Sequence, residues 1–268
     1  MIALLLILLI IFILIISFLL LIKPGKRRDT SYFKNKMYAH RGLHDDEVPE
    51  NSLWAFRLAK EKGFGVELDV QMTKDGQLVV FHDGNLQRVC GIDGWLRDYT
   101  LEELKQFKLK GTGETIPTFS EVLAALDGQD LICEIKGDNG IKNYEICQKT
   151  YDELSSYKGR FCIESFSPFI VGWFKDNHPE IIRGQLSENF VKSNKPSVTN
   201  FCMTHLLVNY ISKPDFIAYN HLYSDTFGFM LCARLYKPLL IGWTAKGQDE
   251  QEKAKKIFDA VIFEKNKG

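Results

Sequence analysis

From residue 36 onward, short apolar runs alternate with stretches of helical periodicity, and this rhythm restricts the chain to a parallel sheet covered by helices. Strands are expected at 36–40, 64–70, 77–82, 131–136, 160–166, 181–186, 216–219, 239–243 and 261–263. Helices are expected at 51–62, 101–108, 122–126, 143–157, 170–176, 227–235 and 250–258, with 189–207 undecided. Asn51 or Ser52 suits the first N-cap, and Thr100 with Glu103 and Thr118 with Glu121 have the spacing of capping boxes. Residues 34–268 have the size of a closed (β/α)8 TIM barrel, typically about 250 residues. A doubly wound open sheet is the alternative. No glycine-rich nucleotide loop follows a strand, and Gly111-Thr-Gly113 lacks the third glycine.

A different kind of segment precedes that domain. Met1 to Ile22 carries no charge and a single polar side chain, Ser17. About twenty apolar residues in a helix cross a hydrocarbon core of roughly 30 Å. Lys23 ends the run, Pro24 and Gly25 break the helix, and Lys26, Arg27 and Arg28 follow. A cleaved signal would place a basic residue before the run and an A-x-A-like site after it; a core helix would show a polar stripe. The expectation is a single transmembrane anchor over 1–22, a basic linker over 23–33 placed to touch anionic headgroups, and a barrel domain over 34–268. Basic residues on the C-terminal flank put that domain in the cytoplasm, at the cell membrane. Six cysteines without a CxxC pair agree with a reducing compartment. Lys plus Arg equal Asp plus Glu at 34 each, and no basic stripe carries interleaved aromatics, which gives no reason to expect a nucleic-acid partner.

Four places set ionisable residues into strands that should be apolar. His40-Arg41-Gly42 closes the first strand, Glu67 and Asp69 share one face of the second, His82-Asp83 closes the third, and Glu134 and Lys136 share a face of the fourth. All lie near the C-terminal ends of strands expected to be parallel, where barrel active sites assemble. Each has a bland reading: a solvated histidine, an edge strand, a surface salt bridge. Four together at one end of one sheet do not. Burying Glu67 beside Asp69 needs a cation, and with Glu134 as a third oxygen donor the set suits Mg²⁺ or Ca²⁺ rather than zinc. His40 and His82 then remain available for proton transfer.

The motifs Ala39-His-Arg-Gly42, Pro49-Glu-Asn-Ser52, Ala55-Phe56, Glu67-Leu-Asp-Val70, Thr73-Lys-Asp-Gly76 and Val79-Val-Phe-His-Asp83 resemble the glycerophosphodiester phosphodiesterase family, and Glu134-Ile-Lys136, Ser165-Phe166 and Trp243-Thr244 extend the likeness. The resemblance covers the chain after the linker. It implies a (β/α)8 barrel that hydrolyses a glycerophosphodiester to an alcohol and glycerol phosphate. It further implies His40 and His82 as general acid and base, Glu67, Asp69 and Glu134 as ligands of one divalent cation, Arg41 and Lys136 as phosphate contacts, and Glu50 behind Arg41 or a ligand. Trp243 is a candidate substrate wall. Ala245-Lys246 and Glu264-Lys265 depart from the family's residues there, and His44, Asp45 and Asp46 read as a solvated loop more than as head-group contacts. A lysophospholipid held in the bilayer is the alternative substrate, motivated by the anchor. A tethered barrel without turnover would not need both histidines, and a metal-free phosphoinositide-cleaving barrel would not need the acidic cluster.

Overall fold

The computed structural model describes residues 1–25, 28–137 and 144–265. Among the described residues nine strands form one sheet: β1 (Met37–Ala39), β2 (Gly65–Met72), β3 (Leu78–Val80), β4 (Leu131–Ile135), β5 (Phe161–Ser165), β6 (Arg183–Ser187), β7 (Phe216–Asn220), β8 (Leu239–Lys246) and β9 (Ala260–Glu264). All except β3 pair in parallel, and β1 closes the ring by bonding to both β9 and β2. This is the expected TIM barrel, with no open edge in the parallel ring. Helices α1 (Ile2–Ile22), α2 (Leu53–Glu61), α3 (Phe119–Leu126), α4 (Glu145–Ser155), α5 (Pro168–Asn177), α6 (Phe227–Tyr236) and α7 (Gly247–Lys255) are the longer ones.

Side-chain alternation divides the apolar interior into two layers. Val66, Leu68, Val70, Cys133 and Ile163 face outward onto Phe56 of α2, Phe119 of α3 and Phe174 of α5. Tyr38, Ile132, Cys162, Phe216, Ala218, Ile241 and Ile262 fill the lumen. Register places Asp69 beside Glu134 and Glu134 beside Glu164, so these acids share the inner face above Ile132 and Cys162. The lumen is therefore apolar below and acidic at the C-terminal end.

The stretch expected as a further barrel strand behaves differently. β3 runs antiparallel to the end of β2. The connection through Lys74-Asp75-Gly76 is too short for a crossover, which parallel pairing requires, and instead closes a hairpin with the Gly76 N–H on Thr73 O at 3.0 Å. His82 thus follows a hairpin strand. Both capping boxes form as read, but the first helix stops at Leu104, where Leu104, Leu109 and Ile116 turn into a small core beneath β3. Residues 189–207 hold two short helices, Phe190–Ser193 and Val198–Thr204. The expected helix start at Asn143 lies outside the described residues, as do Lys26 and Arg27 of the basic flank.

α1 is long and apolar enough to cross a membrane, and nearly all of it is exposed, unlike a core helix. Its last turn packs on the barrel: Ile22 is buried, and Phe18 meets Phe227 at 5.8 Å between ring centroids. The segment read as a linker is also packed. The Gly25 N–H donates to Pro214 O at 2.9 Å, Arg28 pairs with Asp215 at 3.2 Å, and Phe33 is buried against the lumen residues.

Ser52, not Asn51, caps α2: its hydroxyl accepts from the Ala55 N–H at 3.1 Å and donates to Pro49 O at 2.7 Å. Ser52→Ala is expected to cost about 1–2 kcal/mol in urea unfolding. An unchanged midpoint would deny the cap that role.

Candidate active site

β2 and β4 bring three carboxylates together. One oxygen each from Glu67, Asp69 and Glu134 lies within 4.8 Å of the others, and the residues are 2%, 1% and 7% exposed. Lys136 Nζ sits 2.7 Å from Asp69 Oδ1 and 2.7 Å from Glu134 Oε1. Asn51 gives its amide to Asp69 Oδ2 at 2.8 Å, and the Arg41 N–H donates to Glu67 Oε2 at 3.1 Å. Burial, then Asp69, Glu134 and Glu164, push the Glu67 carboxyl well up. Glu134 is also raised, chiefly by burial. Burial works the same way on Asp69, but Lys136, His82 and Arg41 outweigh it and hold its carboxyl well down.

Asn51 and Glu164 were not singled out from the sequence. Asn51 was read as a cap candidate, yet its side chain reaches Asp69 from a backbone at positive φ (54°). Glu164 is 1% exposed, and burial followed by Glu134 raises its carboxyl well above the ordinary range. Its position two residues before Phe166, on the inner face of a barrel strand, was the available signal.

The two histidines are each backed by an acid. His40 Nδ1 lies 2.7 Å from Glu264 Oε1 and His82 Nδ1 lies 2.6 Å from Asp83 Oδ1. A carboxylate that holds the Nδ1 proton leaves Nε2 for chemistry. His40 Nε2 is 3.9 Å from Glu67 Oε2, and burial pulls the His40 pKa down to about 4 despite the Glu264 hydrogen bond. Glu264 was noted only as a departure from the family's residues. That departure supplies the partner of His40. Gln71, at the outer end of β2, places Nε2 within 2.7, 3.1 and 2.9 Å of the carbonyls of Phe81, His82 and Asp83. The hairpin therefore fixes the His82 loop to the strand that carries Glu67 and Asp69.

Glu50 joins the two halves. Arg41 Nη1 donates to Glu50 Oε1 at 2.7 Å, and Arg88 donates to both Glu50 oxygens at 2.7 Å while its Nε donates to Asp83 at 2.6 Å. Burial would raise the Glu50 carboxyl, but Arg88 and Arg41 bring it down to about 2. Arg41 has φ 53°, and Gly42 follows at φ 79° where a Cβ would meet Ala55 Cβ at 2.8 Å. The close approach of the first loop to α2 explains His-Arg-Gly there. Trp243 stands edge-on to Phe166 at 5.6 Å, and Phe166 to Phe190 at 5.9 Å, as an aromatic wall. Of the loop residues, Asp45 accepts from the Val48 and Glu47 N–H groups at 3.0 and 3.1 Å, and His44 Nε2 is 3.9 Å from Glu264.

A family model described as the glycerophosphoryl diester phosphodiesterase family matches residues 40–265. The chain belongs to that family. A glycerophosphodiester phosphodiesterase of Caldanaerobacter subterraneus subsp. tengcongensis is 38% identical over 163 residues, 57% of this chain and 67% of that one. Among solved structures, an Oleispira antarctica phosphodiesterase in complex with the product sn-glycerol-3-phosphate superposes with TM-score 0.71 at 26% identity, covering 87% of this chain and 94% of that one. The Thermotoga maritima glycerophosphodiester phosphodiesterase gives TM-score 0.65 at 27% identity, covering 85% and 93%. Family membership makes the chain a phosphoric diester hydrolase. The residues present fit a divalent cation: three oxygen donors converge in a site where burial, and then their mutual repulsion, raises two of them.

Glu50→Ala would leave two guanidinium groups facing each other without their acceptor. A loss of about 2 kcal/mol in urea unfolding is expected, less than for a fully buried pair because Arg88 is half exposed. A loss below about 0.5 kcal/mol would show that the bridge contributes nothing.

Proposed function

We propose that this chain is a membrane-anchored, metal-dependent hydrolase of glycerophosphodiesters, with His40 and His82 as its acid and base. The observation that carries the reading is the cluster of Glu67, Asp69 and Glu134 set among two carboxylate-backed imidazoles. A divalent cation bound by Glu67, Asp69 and Glu134 supplies positive charge for the phosphoryl oxygens, and an all-carboxylate donor set favours Mg²⁺ or Ca²⁺ over Zn²⁺. Arg41 and Lys136 add donors for the same oxygens, and Glu50 holds Arg41 in place.

One imidazole accepts the proton of the glycerol 2-hydroxyl as its oxygen attacks phosphorus. The other gives a proton to the departing alcohol oxygen, leaving a cyclic phosphate. Water then opens the ring with the two roles exchanged, releasing glycerol 3-phosphate and restoring both histidines. Glu264 and Asp83 keep Nδ1 protonated through the cycle, so each exchange runs through Nε2.

In this reading residues 1–22 are a single-pass anchor in the cell membrane, 23–33 connect it to the barrel, and 34–268 form the catalytic domain on the cytoplasmic side. The uncharged length of α1 and the basic residues after it support that arrangement. An acylated lysophospholipid is the second reading of the substrate. The aromatic wall of Phe166, Phe190 and Trp243 favours it, because an apolar wall at the mouth suits an acylated diester.

The full chain in detergent, supplied with divalent metal, is to be compared on glycerophosphoethanolamine and on an acylated lysophospholipid. Turnover of the water-soluble diester is expected, and His40→Ala and His82→Ala should each lower kcat by about 10²–10⁴ with circular dichroism unchanged. Near-full activity in either variant would remove that histidine from the mechanism. Preference for the acylated substrate would select the second reading.

A further inference from the structure

A second polar concavity lies at the other end of the barrel. β6 begins at Arg183, β7 follows Asp215 and β8 follows Pro238, and around these strand starts a cavity of about 900 Å³ opens beside the last turn of α1. Lys23, Arg28, Lys175, Arg183 and Lys213 line it, and Asp215 is the one acid among the lining residues. Two of the cations share that acid, Arg28 at 3.2 Å and Arg183 at 3.7 Å, and Lys175 pairs with its neighbour Asp176 at 3.3 Å. Lys213 donates to Lys23 O at 3.3 Å and lies over the Tyr210 ring at 5.2 Å, and among the described residues it makes no ion pair.

Several features of the lining favour an anionic ligand. Arg183 is 4% exposed; its Nη atoms donate to the carbonyls of Pro179, Ile181 and Lys213, while among the described residues its Nε has no hydrogen-bond partner. Burial, then Lys23 and Lys175, lower the Lys213 pKa, as expected for like charges gathered without enough counter-charge. The remaining lining is apolar or aromatic: Leu20 from α1, Leu235 and Tyr236 from the end of α6, and Tyr210, with Tyr210 62% and Leu235 53% exposed. Position adds the last constraint. Some twenty apolar residues account for roughly 30 Å of hydrocarbon, which puts the end of α1 and Lys23 at the depth of lipid phosphates.

We propose that this cavity binds the phosphate of an anionic phospholipid, with Lys23, Lys175 and Lys213 meeting the charge and Leu20, Tyr210 and Leu235 meeting the start of the acyl chains. The inference rests on the reading of α1 as a membrane span. It gives the anchor a specific seat: the lipid fills the gap between span and barrel and fixes one against the other. Because the cavity is at the N-terminal ends of the strands, filling it does not touch the carboxylate cluster.

The test uses the purified full chain in detergent, with native mass spectrometry after equimolar phosphatidylglycerol and phosphatidylcholine of equal chain length. One retained phosphatidylglycerol is expected, favoured at least tenfold. Lys175→Gln with Lys213→Gln should reduce that preference to threefold or less while hydrolysis of the soluble diester is unchanged. Lys175→Gln alone alters a surface side chain and should give an intermediate loss. Equal retention of the two lipids, or a preference that survives the double variant, would overturn the assignment. So would inorganic phosphate that displaces the lipid at equal concentration, which would make this a site for a soluble anion. Carbonate washing of membranes separates the two levels: release of the chain denies the span, whereas retention without lipid preference denies only the cavity's role.

Discussion

Carboxylate repulsion in the acidic end of the lumen is the constraint around which the rest of the site is built. Two like charges about 5 Å apart repel by roughly 3 kcal/mol at an effective dielectric near 20. Glu67, Asp69 and Glu134 present three such pairs within 4.8 Å, with Glu164 beside Glu134 in register. Apolar packing cannot pair or solvate these charges, so the chain surrounds them with donors. Lys136 bridges two of the acids, Asn51 and the Arg41 N–H each take one oxygen, and the Arg41 side chain lies 3.4 Å from Asp69. Burial, with the neighbouring carboxylates behind it, still holds Glu67 and Glu134 upward, a setting that suits a divalent cation.

Below this cluster the barrel lumen stays apolar. Alternation on β2, β4 and β5 sends one face outward to the helices and the other inward, and the inner face changes from Tyr38, Ile132 and Cys162 to acids within one pleat. The imidazoles come from loops, so each needs an external holder. Glu264 on β9 serves His40, while Asp83 and Gln71 serve His82. Arg88 and Glu50 then tie the His82 loop to Arg41, so both sides of the cleft share one hydrogen-bonded frame.

Much of this was legible in the sequence because its signals are local. Strand-helix alternation gave the barrel, period-two spacing put Glu67 with Asp69, and the capping boxes at Thr100 and Thr118 formed as spaced. What escaped was set by contacts between distant segments. The strand before His82 turned out to be a hairpin arm, because a short turn overrides an apolar run that looks like a barrel strand. Glu264 meets His40 across 224 residues and Asn51 meets Asp69 across 18, and no spacing rule encodes either pairing. Glu164 escaped because its place beside Glu134 is set by the register of β4 and β5. The packed course of 28–33 beneath the barrel likewise depends on Asp215 and the lumen, far along the chain.

The central claim is that Glu67, Asp69 and Glu134 act as one cation site, and calorimetric titration tests it most directly. The full chain, stripped of metal, should bind one equivalent of Mg²⁺ or Ca²⁺ saturably, and Glu67→Gln should lose that binding while keeping its fold. A titration with no saturable event, or one that the substitution leaves unchanged, would contradict the account.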